Sequence, residues 1–211
     1  MDKPLLSYNT IQKESSGQIV EKRSRFICNL YPVANEEEAM EHVAALKKEH
    51  YQARHVCFAY ILGNAGEIFK YSDDGEPSGT AGRPMYDILK GRGLTYTLAC
   101  VTRYFGGVLL GTGGLVRAYG DSLEEGLKNA EVITMALRKS IAFEVDYALE
   151  GKIKYALPMY EGTIVREDYS NVVKMQVAFS PEKEEAIRNY LKDITGGSLQ
   201  TEEMGMSYVK A

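Results

Sequence analysis

Tryptophan is absent from the 211 residues, and cysteine and histidine occur only three times each. Cys28, Cys57 and Cys100 are odd in number, far apart and set among apolar neighbours, which argues against a disulfide framework. No CxxC pair suggests zinc, so the thiols read as buried groups of a protein in a reducing cytoplasm. His42, His50 and His55 show neither HExxH nor HxH spacing, which removes a histidine-based zinc centre. No apolar run is long enough to span a bilayer, and Met1 to Gln12 holds no signal-peptide core. A large excess of one charge is missing too. The formal net charge of −4 argues against indiscriminate polyanion binding but leaves room for a local basic site.

What is present is an ordinary globular composition, 45% hydrophobic and 26% charged, in a chain sized for one large or two small domains. The pattern predicts a weak strand from Tyr8 to Glu21 and a firmer one from Ser24 to Leu30, with Phe26, Cys28 and Leu30 on one face. Asn35 and Glu38 form a capping pair for a helix whose apolar side is Ala39, Val43, Leu46 and His50. A hairpin of His55–Leu62 and Glu67–Tyr71 follows, turning at GNAG. Pro84 sits in the first turn of a helix through Leu89, and Thr95 to Thr102 reads as a strand. A longer helix then buries Leu115, Tyr119, Leu123 and Leu127, and Asn129 to Leu137 reads as its continuation or as a connection.

Past Arg138 the texture changes. Ile141, Phe143, Val145 and Tyr147 alternate as a strand with one wet face, and Gly151 to Tyr160 reads as a short helix ended by Pro158. Strands at Ile164–Glu167 and Val173–Phe179 flank a turn at Asp168–Asn171. A helix starts at Ser180-Pro181, and a last strand holds Met204, Met206 and Tyr208. The order βαββαβ predicts a split βαβ sandwich over residues 138–211, after a first domain over 1–137. The fold class expected is α+β. Neither part is basic overall: 15 basic and 17 acidic residues stand in 1–137, and 10 and 12 in 138–211.

Two glycine-rich stretches stand out. SDDGEPSGTAGRP, Ser72 to Pro84, offers amide-rich turns at Gly75, Gly79 and Gly82, short hydroxyls at Ser78 and Thr80, and the planar donor fork of Arg83. Asp73, Asp74 and Glu76 make the same loop repulsive to anions. It therefore suits a metal, an amine, or an internal clamp in which carboxylates hold Arg83 or another arginine such as Arg103. VTRYFGGVLLGTGGLVRAYG, Val101 to Gly120, carries Arg103, Tyr104 and Phe105, the turn glycines Gly106 and Gly107, and Gly111, Gly113 and Gly114 leading into a helix with Arg117 in its first turn. It matches neither GxGxxG nor GxxxxGK[ST], so nucleotide motifs fail. GEPSG is not a nucleophile elbow either. The helix N-terminus could meet an anion, and Tyr104 and Phe105 beside Arg103 could stack bases; packing and turn geometry explain the same residues equally well. In the second part Lys152, Lys154, Arg166 and Lys174 give at most a modest positive face among interleaved acids.

YSDDGEPSGTAGRP and VTRYFGGVLLGTGGLVRAYG, with EKRSRFI and ARHVCFAY, strongly resemble the YigZ/IMPACT family over about residues 15 to 130. That resemblance implies a ribosomal protein S5 domain 2-like first domain and a ferredoxin-like second one similar to the last domain of elongation factor G. It carries a signature over Arg23, Phe26, Arg54 and His55, then Asp73 to Gly82, then Arg103, Tyr104, Gly106, Gly107, Gly111, Gly113, Gly114, Leu115, Arg117, Ala118 and Tyr119. The eukaryotic relatives act in translational control through a partner of a stress-responsive kinase. They use an added RWD domain that these residues do not contain, so that partner does not carry over.

The expected function is a translation-linked regulator in the cytoplasm that binds RNA or a ribosome-associated protein, with no membrane partner, no cofactor and no metal. Arg83, Arg103 and Arg117 would contact phosphates, with Tyr104, Ser78, Thr80, Gly106, Gly107, Gly113 and Gly114 around them. Asp73, Asp74, Glu76, Arg54 and His55 would organise the loop. Two other readings stay open. One is an enzyme for a small phosphorylated or amine-bearing metabolite, using Asp73, Asp74 and Glu76 on a metal or nucleophile. The other is a protein-interaction module marked by an exposed apolar patch.

Overall fold

The computed structural model describes residues 5–211; the first four residues of the expected 1–137 domain, and of the Met1–Gln12 stretch, lie outside them. Two compact units are present, one running to Met135 together with Ala211, the other Ala136–Lys210.

In the first unit a five-stranded antiparallel sheet has the order β2-β3-β6-β4-β5. Its strands are β2 (Ser15–Glu21), β3 (Ser24–Pro32), β4 (His55–Leu62), β5 (Ile68–Ser72) and β6 (Thr97–Tyr104). A separate strand β1 (Ser7–Ile11) precedes it, so the single expected strand over Tyr8–Glu21 is in fact two, broken where Gln12 turns away to the Glu131 carbonyl. Helix α1 (Glu36–Glu49) covers one face of the sheet, and α2 (Gly82–Gly91) and α3 (Thr112–Lys128) cover the other. This is why β4 and β6 read as almost unbroken apolar runs. In β4, Cys57, Ala59 and Ile61 join the α2/α3 core, while Val56, Phe58, Tyr60 and Leu62 join the α1 core.

Local chemistry sets the element ends. The Asn35 carboxamide accepts from the Glu38 amide at 2.9 Å, and the Glu38 carboxylate reaches back to the Ala34 amide rather than that of Asn35. Such a cap is worth about 1 kcal/mol. His50 is the C-cap of α1, not part of its buried stripe. Leu115, Tyr119, Leu123 and Leu127 are all buried on α3, as their spacing requires. The stretch from Asn129 neither extends that helix nor stays a loop. Beyond a short turn, β7 (Val132–Val145) begins, and its Thr134 hydroxyl donates to Asn9 of β1 at 2.9 Å.

The chain enters the second unit within β7. It continues through α4 (Tyr147–Ala156), β8 (Thr163–Tyr169), β9 (Val173–Phe179), α5 (Glu184–Ile194) and β10 (Thr201–Lys210). This is βαββαβ, with β9 between β7 and β8 and antiparallel to both, and β10 also joined to β7. The arrangement is ferredoxin-like. Ile141, Phe143 and Val145 of β7 and Val173, Met175, Val177 and Phe179 of β9 bury one face against Ile153 of α4 and Ile187 and Leu191 of α5. Two boundaries differ from expectation. Tyr147 opens α4 instead of ending the strand, with Asp146 at the N-cap position but making no side-chain capping bond, and the helix passes into a 3-10 turn over Leu157–Tyr160 at Pro158. The turn between β8 and β9 falls at Ser170–Val172, two residues later than expected. No helix among the described residues is long and apolar enough to cross a membrane.

The three thiols are buried, and desolvation raises all of them; that of Cys28 is pushed up to about 12. Iodoacetamide at pH 8 is expected to leave the native protein unmodified and to label all three positions in denaturant. Rapid native labelling, read by mass spectrometry, would contradict this packing.

Candidate functional site

The carboxylates of the first glycine-rich loop are spent on the protein itself. Asp73 accepts from the Gly79 amide on Oδ2 (2.8 Å) and from those of Ala81 and Gly82 on Oδ1 (2.9 Å each). The latter two are orphan donors at the start of α2, whose N-cap, Ala81, has no capping side chain. The turn amides expected to approach a ligand at Gly79 and Gly82 are therefore occupied. Gly82 cannot carry a side chain, because a Cβ would stand 2.7 Å from the Ser72 backbone. Asp74, at φ 41°, accepts from Lys47 and from the Val56 amide (2.8 Å). Its carbonyl oxygen lies 2.8 Å from His55 Nδ1; a carbonyl only accepts, so that nitrogen carries the proton. Thr80 is buried, with its hydroxyl donating to the Pro77 carbonyl at 2.7 Å, while Ser78 is exposed.

Glu76 joins the two glycine-rich stretches. It is 8% exposed, and its Oε1 accepts from Arg103 NH1 at 2.6 Å and from the Tyr119 hydroxyl at 2.8 Å. Cys57 Sγ sits 3.0 Å from the Asp73 carbonyl and 3.3 Å from the Tyr119 hydroxyl. Burial, reinforced by Cys57, drives the Tyr119 phenol far above its ordinary range, so it stays a donor. The arginine gripped by the loop is Arg103. Expected to face phosphate, it is 6% exposed, with its guanidinium between the rings of Phe26 (5.3 Å) and Phe105 (5.5 Å).

The other expected binding residues are scattered. Arg83 is exposed, but its Nε donates to both oxygens of Asp87 at 2.9 Å, so its partner is on α2 and not in the loop. That bond raises the already high Arg83 pKa. Tyr104 is engaged: its hydroxyl is 2.9 Å from His50 Nδ1, and Arg25 lies 4.7 Å from its ring centroid. Gly106 packs where a Cβ would fall 2.1 Å from the Arg23 carbonyl carbon, and Gly107 adopts φ 83°. Gly113 and Gly114 open α3. Arg117 belongs to its second turn, since the helix starts at Thr112, and lines a cleft of about 290 Å³ with Lys22, Glu21 and Asp121. Arg54 contacts none of the loop carboxylates and is exposed.

A different gathering of charge appears at one end of the sheet. Arg25 pairs Tyr104 across β3 and β6, and His55, next to Arg54, pairs Arg103 across β4 and β6. The two-residue turn Lys22-Arg23 joins β2 to β3 beside Gly106. Lys22, Arg23, Arg25 and Arg54 are exposed, and no carboxylate of the described residues pairs with them. Lys22 and Arg23 have φ of 44° and 67°, a hairpin geometry that ordinarily draws Asn-Gly. Lys22 and Arg25 were missed as site residues; the available signal was three cations within four positions in EKRSR.

In the second unit Lys174 pairs with Glu144 and Arg166 with Asp168, both at 2.8 Å, and Lys154 with Glu150 and Glu167. The positive face considered there is largely neutralised. A cleft of about 950 Å³ in this unit is bordered by the first two of these pairs. Among the described residues, no set of three or more His, Cys, Asp or Glu converges to hold a metal ion.

Residues 22–127 match the Impact N-terminal domain, and residues 143–198 match the Domain of unknown function (DUF1949). The IMPACT family member YvyE of Bacillus subtilis is 40% identical over 206 residues, 98% of this chain and 95% of its own. The chain belongs to the IMPACT family. The family member YigZ of Escherichia coli is 37% identical over 85% of this chain and 89% of its own. The Protein IMPACT homolog of Dictyostelium discoideum matches over 46% of this chain and 29% of its own, at 33% identity. A crystal structure titled as that of a hypothetical protein covers 94% of this IMPACT chain at 34% identity, with a TM-score of 0.61.

The ion pair has a testable energetic signature. Glu76→Gln leaves the Arg103 charge buried without its partner and should cost about 3–5 kcal/mol. Urea unfolding of Glu76→Gln, Arg103→Met and the double variant should show the double far less destabilised than the sum of the singles. Additive losses would mean that the two groups act independently.

Proposed function

We propose that this IMPACT-family chain is a translation-linked regulator that binds RNA through its phosphate backbone, using the basic end of the first sheet. The observation that carries this reading is the set of exposed cations Lys22, Arg23, Arg25 and Arg54, none paired with a carboxylate among the described residues, with Arg117 in the cleft that Lys22 also lines. Three other cations of this unit are consumed: Arg103 by Glu76, Lys47 by Asp74, Arg83 by Asp87. Phosphate recognition needs guanidinium and ammonium donors free of competing carboxylates, and this end of the sheet is where they stand.

The turn strengthens the argument. Left-handed backbone at a non-glycine residue costs of order 1–2 kcal/mol, and Lys22 and Arg23 both adopt it. Asn-Gly would build the same hairpin with less strain, so the stability given up here holds two cations at a tip. The overall acidic charge makes such binding depend on this local field. A cytoplasmic location belongs to the same reading. A ribosome-associated protein is the second candidate partner, favoured by the apolar loop tip at Val108 and Leu109, the latter 83% exposed.

A hairpin RNA with a single-stranded tail, titrated by fluorescence anisotropy at several salt concentrations, tests the proposal. The Arg23→Ala/Arg25→Ala/Arg54→Ala protein is expected to bind more weakly, with the log–log salt slope reduced by about 2. Lys22→Asn/Arg23→Gly should raise the urea midpoint while lowering RNA affinity. No measurable binding by the unaltered protein, or binding unchanged in the triple variant, rejects the assignment.

A further inference from the structure

The two edges of the first sheet differ. At β2 the Asn129 carboxamide donates to the Ser16 carbonyl at 2.8 Å, and the α3 backbone comes so close that a Cβ on Gly17 would stand 2.7 Å from it. The other edge strand, β5, pairs with β4 alone among the described residues. Its five-residue register is unbroken, and it holds no proline. Bulges and prolines are devices that turn a sheet edge away from new partners, so this edge keeps a row of backbone donors and acceptors on its outer side.

The side chains of β5 suit a further strand. Phe69 and Tyr71 stand opposite Ile61 and Ala59, on the α2/α3 side, and their ring centroids lie 4.7 and 5.6 Å from that of buried Tyr86. Tyr86 anchors this aromatic strip from within, yet Phe69 remains 50% exposed and Tyr71 37%. Lys70 stands opposite Tyr60, on the α1 side, and is exposed. Lys90 of α2 is exposed too, its Nζ 5.7 Å from the Tyr86 ring centroid. Neither lysine pairs with a carboxylate among the described residues. The adjoining acids are engaged, Asp87 by Arg83 and Glu67 by the Ala65 amide at 3.0 Å. The charge left at this edge is positive on a protein that is acidic overall. A second copy fits poorly. Antiparallel self-pairing centred on β5 would set one Lys70 directly against the other, and like charges in that position destabilise a sheet.

We propose that β5 takes an extended acidic segment of a partner protein as a sixth strand, with apolar side chains on Phe69 and Tyr71 and a carboxylate opposite Lys70. The pattern recognised is apolar–acidic–apolar across Phe69, Lys70 and Tyr71. These residues are distinct from the cations proposed to hold RNA, so either surface can fail without the other.

The test uses the full chain and labelled nine-residue peptides that alternate valine with glutamate, or valine with lysine. In anisotropy titrations the glutamate peptide is expected to bind about fivefold more tightly than the lysine peptide, and Lys70→Glu should reverse that order. Phe69→Ala should weaken the glutamate peptide by about fivefold. Both altered positions are exposed, so thermal melting of the variants should stay near that of the parent. Alternate amides of an added strand point toward β5 and away from it. N-methylation of one alternate set in the peptide should therefore abolish binding, and of the other set leave it intact. No binding of the glutamate peptide up to millimolar concentration, an order unchanged by Lys70→Glu, or equal losses from both methylation patterns overturns the proposal. So does a concentration-dependent dimer in sedimentation that Phe69→Ala dissolves, which would assign the edge to a second copy.

Discussion

The Glu76–Arg103 ion pair is the contact on which the first unit's signature loops depend. Its members come from different elements, a loop after β5 and the C-terminal end of strand β6, and Tyr119 of α3 binds the same carboxylate oxygen. Two opposite charges that are each less than a tenth exposed gain little net stability over an apolar pair, but either one alone would be costly. The pair therefore enforces one arrangement of loop, strand and helix. Asp73 acts beside it by satisfying three backbone amides, and Asp74 ties the loop to α1 and β4.

This internal use of charge divides the signature into a scaffold and a surface. The loop acids are neutralised or capped from outside and within the loop: Glu76 by Arg103 of β6, Asp74 by Lys47 of α1, and Asp73 by backbone amides, so the loop is an acid-clamped frame. Lys22, Arg23, Arg25 and Arg54, exposed and without a carboxylate partner among the described residues, stand where the β2–β3 turn, the start of β4 and the end of β6 come together. The functional reading moves accordingly, from Arg83 and Arg103 to Lys22, Arg23, Arg25 and Arg54, with Arg117 retained. The carboxylates considered for catalysis, Asp73, Asp74 and Glu76, are each held by donors of the protein.

Much of the fold was legible because burial writes itself as periodicity. Alternation placed β3, β7 and β9, four-residue spacing placed α3, and the Asn35–Glu38 pair placed the start of α1. Errors fell where local pattern and long-range pairing disagree. Tyr147 continues the alternation of β7, yet α4 begins at that residue. The Asn129–Leu137 stretch looks helical by composition, yet hydrogen bonding to β1 draws its latter part into a strand. Arg117 was placed one turn too early because glycine-rich sequence carries no boundary signal for α3.

Sequence alone determined the two-part α+β organisation, the buried thiols and the family, and offered a clamp between loop carboxylates and an arginine as one of three readings of the first loop. These follow from spacing and residue type, which act locally or are specific as strings. Tertiary structure alone decided which arginine is clamped and which cations keep no carboxylate partner among the described residues. Those outcomes depend on strand register and on competition among donors and acceptors that lie tens of residues apart, and neither is encoded in any short stretch of chain.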